Sequence, residues 1–297
     1  MILANEIEAT VSLEGYDSLF HTKKKKRNFL KPIVNISAFA CFSIFLFIIG
    51  YILMRGIPNL TSELFEWKYT STNVSMIPAI ITTLYVVFLS IIIAAPIGIF
   101  TAIYLVEYLD TNSKFTRIIR LTSDTLSGIP SIIYGLFGML FFVHFLGLNN
   151  SVISGVLTCV IMILPVMIRS SEEALMSVKD IYRYGSVALG AGKVATVFKV
   201  VLPMAFPGII SGIILSIGRV VGESAALIYT LGTSSKLPET IFNSGRTLSV
   251  HMYMLSGEGR FIEQAFATAV MLVLLVILLN TVSELVVRKF LTKQTVS

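Results

Sequence analysis

Long apolar runs separated by short polar segments dominate the pattern of this 297-residue sequence. A helix that crosses the hydrocarbon core of a bilayer needs about 20 mostly apolar residues, and six runs come close to that length. The third and fourth runs are joined only by the short polar segment 147–150, which is typical of a helical hairpin. We therefore predict an all-α integral membrane protein with six transmembrane helices. The predicted spans lie near residues 33–54, 79–106, 126–148, 151–168, 206–231 and 265–287.

The composition agrees with a membrane protein. Hydrophobic residues make up 55% of the chain and charged residues 13%, and the mean hydropathy is +0.84. Soluble domains carry about 25% charged residues, so a protein that lies wholly in water is a poor match. We predict a polar tail over 1–32, a first transmembrane helix over 33–54 and a core domain over 75–290.

The placement of basic residues predicts the orientation of these helices. Of the 23 lysines and arginines, 17 lie in the N-terminal tail, the loops after spans two and four, and the C-terminus. Five lie in the opposite loops, and Arg219 lies inside the fifth span. Because cytoplasmic loops are enriched in lysine and arginine, we predict that both termini are cytoplasmic. The basic run 23–27 then serves orientation at the membrane surface and not nucleic-acid binding, although a lipid-binding switch would have the same composition.

The most informative segment is the long predicted cytoplasmic loop 169–203. It begins with charged and polar residues, continues with a short helical pattern and two glycines, and ends in Leu-Pro. We predict two short helices separated by a glycine break and ended by the proline, lying parallel to the membrane. Such a surface suits the docking of a partner protein. A helix that rests on lipid headgroups would show the same spacing, so the pattern leaves both interpretations open.

The same loop resembles the cytoplasmic motif of ABC-importer permeases. That motif begins with Glu-Ala-Ala, has a glycine after three more residues and ends in Leu-Pro. The glycine and the Leu-Pro match in type and spacing, whereas Tyr184 stands where the family has an acid. The resemblance implies that this loop couples the chain to a partner ATPase. The motif falls here on Tyr184, Gly185, Ser186, Gly190, Leu202 and Pro203.

Three further stretches resemble the PstA family of phosphate permeases: residues 127–135, 218–226 and 244–251. The resemblance covers most of 75–290 and implies the MetI-like architecture of ABC-importer permeases. It also implies a multi-pass location in a bacterial-type plasma (inner) membrane. The implied partners are a second, PstC-like permease, a PstB-like ATPase dimer and a PstS-like phosphate-binding protein. A permease for another oxyanion, such as sulfate or molybdate, is the alternative, and an ATP-independent channel or a membrane enzyme fits the docking loop less well.

The residues themselves suggest where a substrate would pass. Arg219 is the single basic residue within a predicted span, and an arginine at that depth costs at least about 2.5 kcal/mol unless it faces a partner or a pathway. We predict that Arg219 and Glu223, four residues apart on one helix face, form an anion gate, with a packing salt bridge as the alternative. Gly128, Pro130 and Ser131 are candidates for lining the pathway or bending the third helix.

Other features narrow the function further. Glycines at 208, 212, 218 and 222 predict close approach by a neighbouring helix. The segment 190–193 lacks the glycine spacing of a nucleotide-binding loop, and Val194 stands where Ser or Thr would hold magnesium. We find no catalytic motif and no metal-ligand spacing. We therefore expect a transporter subunit that is not an enzyme and binds no cofactor itself, with ATP used by the partner.

Overall fold

The computed structural model describes residues 31–109 and 113–294, with side chains as far as residue 285. All regular structure within these residues is helical. Contacts divide the chain into two units, residues 1–54 and 55–297. The first unit contains most of helix α1, an apolar span over Lys31–Asn59. No residue in the most apolar stretch of this helix is buried. Exposed side chains such as Phe39 and Phe47 suit a helix that faces lipid.

The second unit contains the other helices. Three π-helical segments extend the α-helices: Tyr104–Tyr108 after α2, Met139–Phe145 after α4, and Val197–Val201 between α7 and α8. The α-helices are α2 (Ile77–Ile103), α3 (Lys114–Ser127), α4 (Ser131–Gly138), α5 (Val152–Met176), α6 (Asp180–Ala188), α7 (Lys193–Thr196), α8 (Leu202–Val221), α9 (Ala225–Thr230), α10 (Leu248–Gly257) and α11 (Ile262–Gln294).

Helix α5 lies at the centre of this unit. It contacts α2, α3, α4, α8 and α9, and its fully buried side chains include Val156, Met162 and Ile163. The close approach of α8 to α5 depends on small residues. A Cβ built at Gly208 would lie 2.7 Å from Cβ of Ala174, and one at Gly212 would lie 2.0 Å from Oγ of Ser170. This confirms the predicted close packing for the first glycine pair.

Within residues 31–109 and 113–294, five helices are long and apolar enough to span a membrane, and a sixth span requires the bent pair α3 and α4. The predicted continuous helix over 126–148 is therefore wrong in its first part. Residues 114–127 and 131–145 form two helical segments at an angle of 99°. Pro130 provides no backbone N–H and precedes the first residue of α4, while Gly128 ends α3. Together they separate the two helices.

The predicted fifth span over 206–231 is also interrupted. Helix α8 ends at Val221, and α9 begins at Ala225, after three intervening residues. At its other end the helical run extends back to Lys193, so Pro203 does not end a helix as predicted. It lies just after the π-helical segment Val197–Val201, where the regular α-helical hydrogen-bond pattern is already interrupted and a missing backbone N–H is tolerated. Likewise α5 continues to Met176, so residues 169–176 extend that helix and do not form a loop.

Candidate functional site

The break between α8 and α9 is built around a buried carboxylate. Glu223 is only 7% exposed and lies two residues beyond the end of α8. Its Oε1 accepts a hydrogen bond of 2.9 Å from the backbone N–H of Ala226, in the first turn of α9. An acidic group suits this position because the first N–H groups of a helix lack backbone partners. The side chain therefore fixes where α9 begins.

Residues 244–251 join the same break. The hydroxyl of Ser249 donates to the backbone carbonyl of Glu223 at 2.5 Å. Ser249 also lies 3.0 Å from the hydroxyl of Thr247, and Thr247 is the residue that caps α10. The backbone N–H of Leu248 donates to the hydroxyl of Thr83 in α2. A short series of hydroxyl contacts thus ties the break to the start of α10.

Residues 127–135 reach the break from the other side. Gly135 packs directly on α9, since a Cβ at that position would lie 2.7 Å from Cα of Ala226. The hydroxyl of Tyr134 donates to the backbone carbonyl of Leu126 at 2.7 Å, across the bend between α3 and α4. Three stretches that are far apart in the sequence therefore meet around one break in the membrane domain.

Arg219 lies in the last turn of α8, beside this meeting point. The Arg219 side chain is partly exposed. Its positive charge interacts electrostatically with the hydroxyl of Tyr134. A Cβ at Gly218 would have no neighbour within 4 Å. The predicted close packing of the second glycine pair is therefore not seen within this chain.

The predicted pairing of Arg219 with Glu223 is not formed. The helix ends between the two residues, so the spacing of four no longer places them on one face. The carboxylate of Glu223 bonds the backbone of α9, and no ion pair within residues 31–109 and 113–285 includes Arg219. The predicted pathway residues lie at the bend between α3 and α4. Gly128 caps α3, and Pro130 and Ser131 begin α4. All three residues are partly or fully exposed.

The predicted coupling loop forms a second candidate site. Helix α6 is followed by a turn in which Gly190 adopts a φ of +85°, a conformation that side chains with a Cβ rarely adopt. The turn is closed by a bond of 3.1 Å from the Ala191 N–H to the Ser186 carbonyl. The Ser186 hydroxyl also lies 2.9 Å from that of Thr196 in α7. The predicted first short helix and the glycine break are therefore present, whereas the predicted second short helix is the beginning of the long helical run from Lys193 to Val221.

This loop carries an unusual number of exposed apolar side chains. Tyr184 is 72% exposed and Leu189 is 91% exposed. Gly185 lies on the same helix with open space beside it. Contiguous exposed apolar surface marks sites of protein or membrane contact. We call this set the α6 surface; it consists of Ile181, Tyr184, Val187, Leu189 and Val194.

An arginine that the sequence analysis did not single out holds the α6 surface in place. Arg183 donates from Nε and Nη2 to Oε1 of Glu107 at 3.0 and 2.8 Å. It also donates to the backbone carbonyls of Leu175 and Val178, at the C-terminal end of α5. Arg183 and Glu107 are 76 residues apart, so no periodicity in the sequence could have paired them. Nearby, the Lys193 ammonium lies 4.9 Å from the ring centroid of Tyr108.

Comparisons with known proteins agree with this architecture. Residues 94–294 match the model of the family described as "Binding-protein-dependent transport system inner membrane component". The chain is 34% identical over 230 residues to the "Probable ABC transporter permease protein YqgI" of Bacillus subtilis, covering 71% of this chain and 76% of that one. It is also 34% identical to the "Phosphate transport system permease protein PstA 1" of Mycobacterium tuberculosis, over 66% of this chain.

The match spans 64% of the length of that mycobacterial relative, slightly less than two thirds. Among solved structures, the chain is similar to one from the MetNI methionine ABC transporter in inward-facing conformations. The TM-score is 0.58 at 21% identity, and the match covers 82% of this chain and 97% of that chain. At this level of identity the likeness supports the MetI-like fold alone.

Proposed function

We propose that this chain, which belongs to the family of binding-protein-dependent transport system inner membrane components, is a permease subunit of an ATP-driven importer of inorganic phosphate. The family makes it a multi-pass membrane protein and a component of a transporter. Phosphate as the substrate is supported by relatives whose names describe phosphate transport. Arg219 supports an anionic substrate: it is a partly exposed guanidinium in the last turn of a membrane helix, without an ion pair in the described part of the chain.

The surroundings of Arg219 suit the transient binding of an oxyanion during transport. A guanidinium presents a planar fork of donors that matches the oxygens of phosphate. Because Glu223 is engaged with the start of α9, it does not neutralise that fork. We assign Glu223 the role of positioning the break and Arg219 that of contacting the substrate.

The α6 surface supports coupling to a partner ATPase. Its apolar side chains are exposed on a short helix that Arg183 ties to both α2 and α5. A force applied to α6 would therefore reach the helices of the membrane domain directly. We propose that a PstB-like ATPase dimer docks here and hydrolyses ATP, that a PstC-like permease completes the pathway, and that a PstS-like protein delivers phosphate. The complex would lie in a bacterial inner membrane.

The test is uptake of labelled phosphate by the complete complex reconstituted in liposomes. We expect the wild-type complex to take up phosphate only with ATP and all three partners present, and this chain alone to take up none. Arg219→Lys should slow uptake and Arg219→Ala should abolish it, with assembly unchanged. Arg117→Ala is a matched control, since Arg117 is an exposed arginine on α3.

Three results would contradict the proposal. Phosphate uptake by the isolated chain would refute the dependence on an ATPase. Sulfate or molybdate uptake that exceeds phosphate uptake would refute the substrate. Normal uptake by the double variant Arg219→Leu, Glu223→Leu would refute the role of Arg219 as a substrate contact.

A further inference from the structure

A pocket lined by basic and aromatic residues lies beside residues 244–251. It is a cavity of about 510 Å³, and its walls include Trp67, Lys68, Tyr69, Lys236 and Glu239. Two lysines against one glutamate give the lining a net positive charge. A concave surface with charge of one sign concentrates ions of the opposite sign. The charge of this pocket therefore favours small anions.

The position of the pocket follows from the direction of α2. Residues 67–69 precede that helix, and Pro78 at its start also lines the pocket. The helical run continues for 32 residues to Tyr108, a rise of about 48 Å. At that far end, Glu107 contacts Arg183 of the coupling loop. The pocket and the α6 surface therefore lie at opposite ends of α2, and the distribution of basic residues predicts that the pocket end is extracytoplasmic.

Arg246 lies beside this pocket, and it belongs to none of the ion pairs formed among residues 31–109 and 113–285. Only 6% of its surface is exposed, and Nη2 is completely enclosed without a hydrogen bond. Its Cζ lies 4.5 Å from the ring centroid of Tyr69, which lines the pocket. The preceding residue, Gly245, packs against Pro238, another residue of the pocket wall.

A buried guanidinium with unused donors is costly for a folded protein. Buried charges are normally paired or hydrogen-bonded, and the exceptions require an explanation. Stacking on Tyr69 offsets part of this cost through the ring quadrupole. It does not supply acceptors for the N–H groups. A tetrahedral oxyanion would supply them, and it is small enough for a cavity of this volume.

We infer that Arg246 and the pocket beside it form a receiving site for an oxyanion at the end of the protein opposite the α6 surface. The inference rests on the proposed function, since it identifies where phosphate first contacts this subunit. Lys68 and Lys236 attract the anion, and Tyr69 moves aside so that the guanidinium of Arg246 donates to its oxygens. Phosphate contacts this pocket first, and it reaches Arg219 later, further along the membrane domain.

The receiving site is connected to the break that carries the substrate-contacting arginine. Thr247 follows Arg246 directly and caps α10. Its hydroxyl lies 3.0 Å from that of Ser249, which donates to the carbonyl of Glu223. A shift of Arg246 on binding an anion would therefore act on the residue that fixes the start of α9.

The experiment uses the complete complex in nanodiscs, with inorganic phosphate as the probe. The thermal midpoint is measured with and without phosphate, and uptake is measured in liposomes. Arg246→Met removes the donors and keeps an unbranched side chain. Arg260→Met is the matched control, since Arg260 is an exposed arginine that stacks on Phe261. Because Arg246→Met removes an unpaired buried charge, we expect its midpoint without phosphate to equal or exceed that of the wild type.

We expect phosphate to raise the midpoint of the wild type and of Arg260→Met, and to raise that of Arg246→Met by less, because the phosphate-binding protein and Arg219 still bind phosphate in that variant. Initial uptake by Arg246→Met should fall by about tenfold or more, as expected for the loss of charge-assisted hydrogen bonds. The initial uptake by Arg246→Lys should lie between that of the wild type and that of Arg246→Met. A wild-type complex that takes up no phosphate would overturn the proposed function.

Two other results would overturn this inference alone. The first is a phosphate response and uptake by Arg246→Met equal to those of the wild type. The second is a lower midpoint without phosphate in both Arg246→Met and Tyr69→Leu, which would show that stacking on Tyr69 is a structural tie and that the arginine receives no anion.

Discussion

Replacement of Arg183 by methionine should release the α6 surface from the membrane domain. In the native structure the guanidinium bonds Glu107, and it also satisfies the carbonyls of Leu175 and Val178 near the end of α5. The substitution leaves the Glu107 carboxylate without its cation, and the side chain of Glu107 is only 8% exposed. A stranded buried charge is the main source of the expected loss.

The magnitude can be estimated from the burial of the pair. Breaking a fully buried ion pair by removal of one partner costs about 3–5 kcal/mol. The side chain of Arg183 is 17% exposed, so water can reach part of the pair. We therefore expect a cost near the lower limit, about 3 kcal/mol, concentrated on the attachment of α6. That corresponds to an increase of about 100-fold in the local opening equilibrium of this helix.

Hydrogen exchange of the α6 amides in the assembled complex measures this opening directly. The amides of α6 should exchange about 100-fold faster in Arg183→Met, and those of α5 near residue 160 should be unchanged. ATP hydrolysis should continue while phosphate uptake falls, because the ATPase then moves a helix that no longer transmits force. Arg169→Met provides the control, since the exposed pair of Arg169 with Glu173 should contribute less than about 1 kcal/mol.

The double variant Arg183→Met, Glu107→Leu separates the two contributions. It removes the stranded carboxylate but also removes the Arg183 donors from the carbonyls of Val178 and Leu175, of which Leu175 keeps a bond from the Val178 N–H, so we expect a remaining cost of about 1–2 kcal/mol. Exchange of α6 at the wild-type rate in Arg183→Met, or unchanged coupling of ATP hydrolysis to uptake, would refute the role of this arginine.

Three further predictions concern single residues. Gly190→Ala should destabilise the coupling loop by about 1–2 kcal/mol and weaken ATPase binding in a pull-down, because φ is +85° there. Gly192→Ala should have little effect, since Gly192 has a φ of −70°. Glu223→Leu should cost about 1–3 kcal/mol and abolish phosphate uptake, whereas Glu223→Gln keeps an acceptor for the Ala226 N–H and should be milder in the same uptake assay. Burial, followed by the positive charge of Arg246, lowers the pKa of His251 to about 3. Because the unfolded chain binds this proton below a pH of about 6.5, the thermal midpoint should fall as the pH drops from 6.5 towards 4, and His251→Phe should flatten that dependence.

The membrane class, the approximate positions of the helices and the coupling loop could be predicted from the sequence. Apolar runs near the thickness of a bilayer leave few alternatives to a helix, because backbone N–H and C=O groups must be satisfied within lipid. The turn at Gly190 was also visible, since glycine is the residue that most readily adopts a positive φ. These features depend on local chemistry, which neighbouring residues determine.

Hydropathy could not reveal the breaks within the third and fifth spans. Residues 126–148 and 206–231 are apolar throughout most of their length, and apolarity is the same on both sides of a break. The bend at Pro130 and the end of α8 at Val221 are held by distant contacts, such as Gly135 with Ala226 and Ser249 with Glu223. The expected pairing of Arg219 with Glu223 failed for the same reason, because it assumed a continuous helix.

Only the tertiary structure could bring together charges that are far apart in the sequence. Arg183 meets Glu107 across 76 residues, and Arg246 meets the ring of Tyr69 from a separate loop. Side-chain spacing along one helix reports on neighbours three or four residues away and is silent about such pairs. The sequence by itself thus determined that this protein spans a membrane and carries a short helix followed by a glycine turn at residues 180–190. The packing of α2, α5 and α8 decided which charges are paired, and left Arg219 and Arg246 without counter-charges in the described part of the chain.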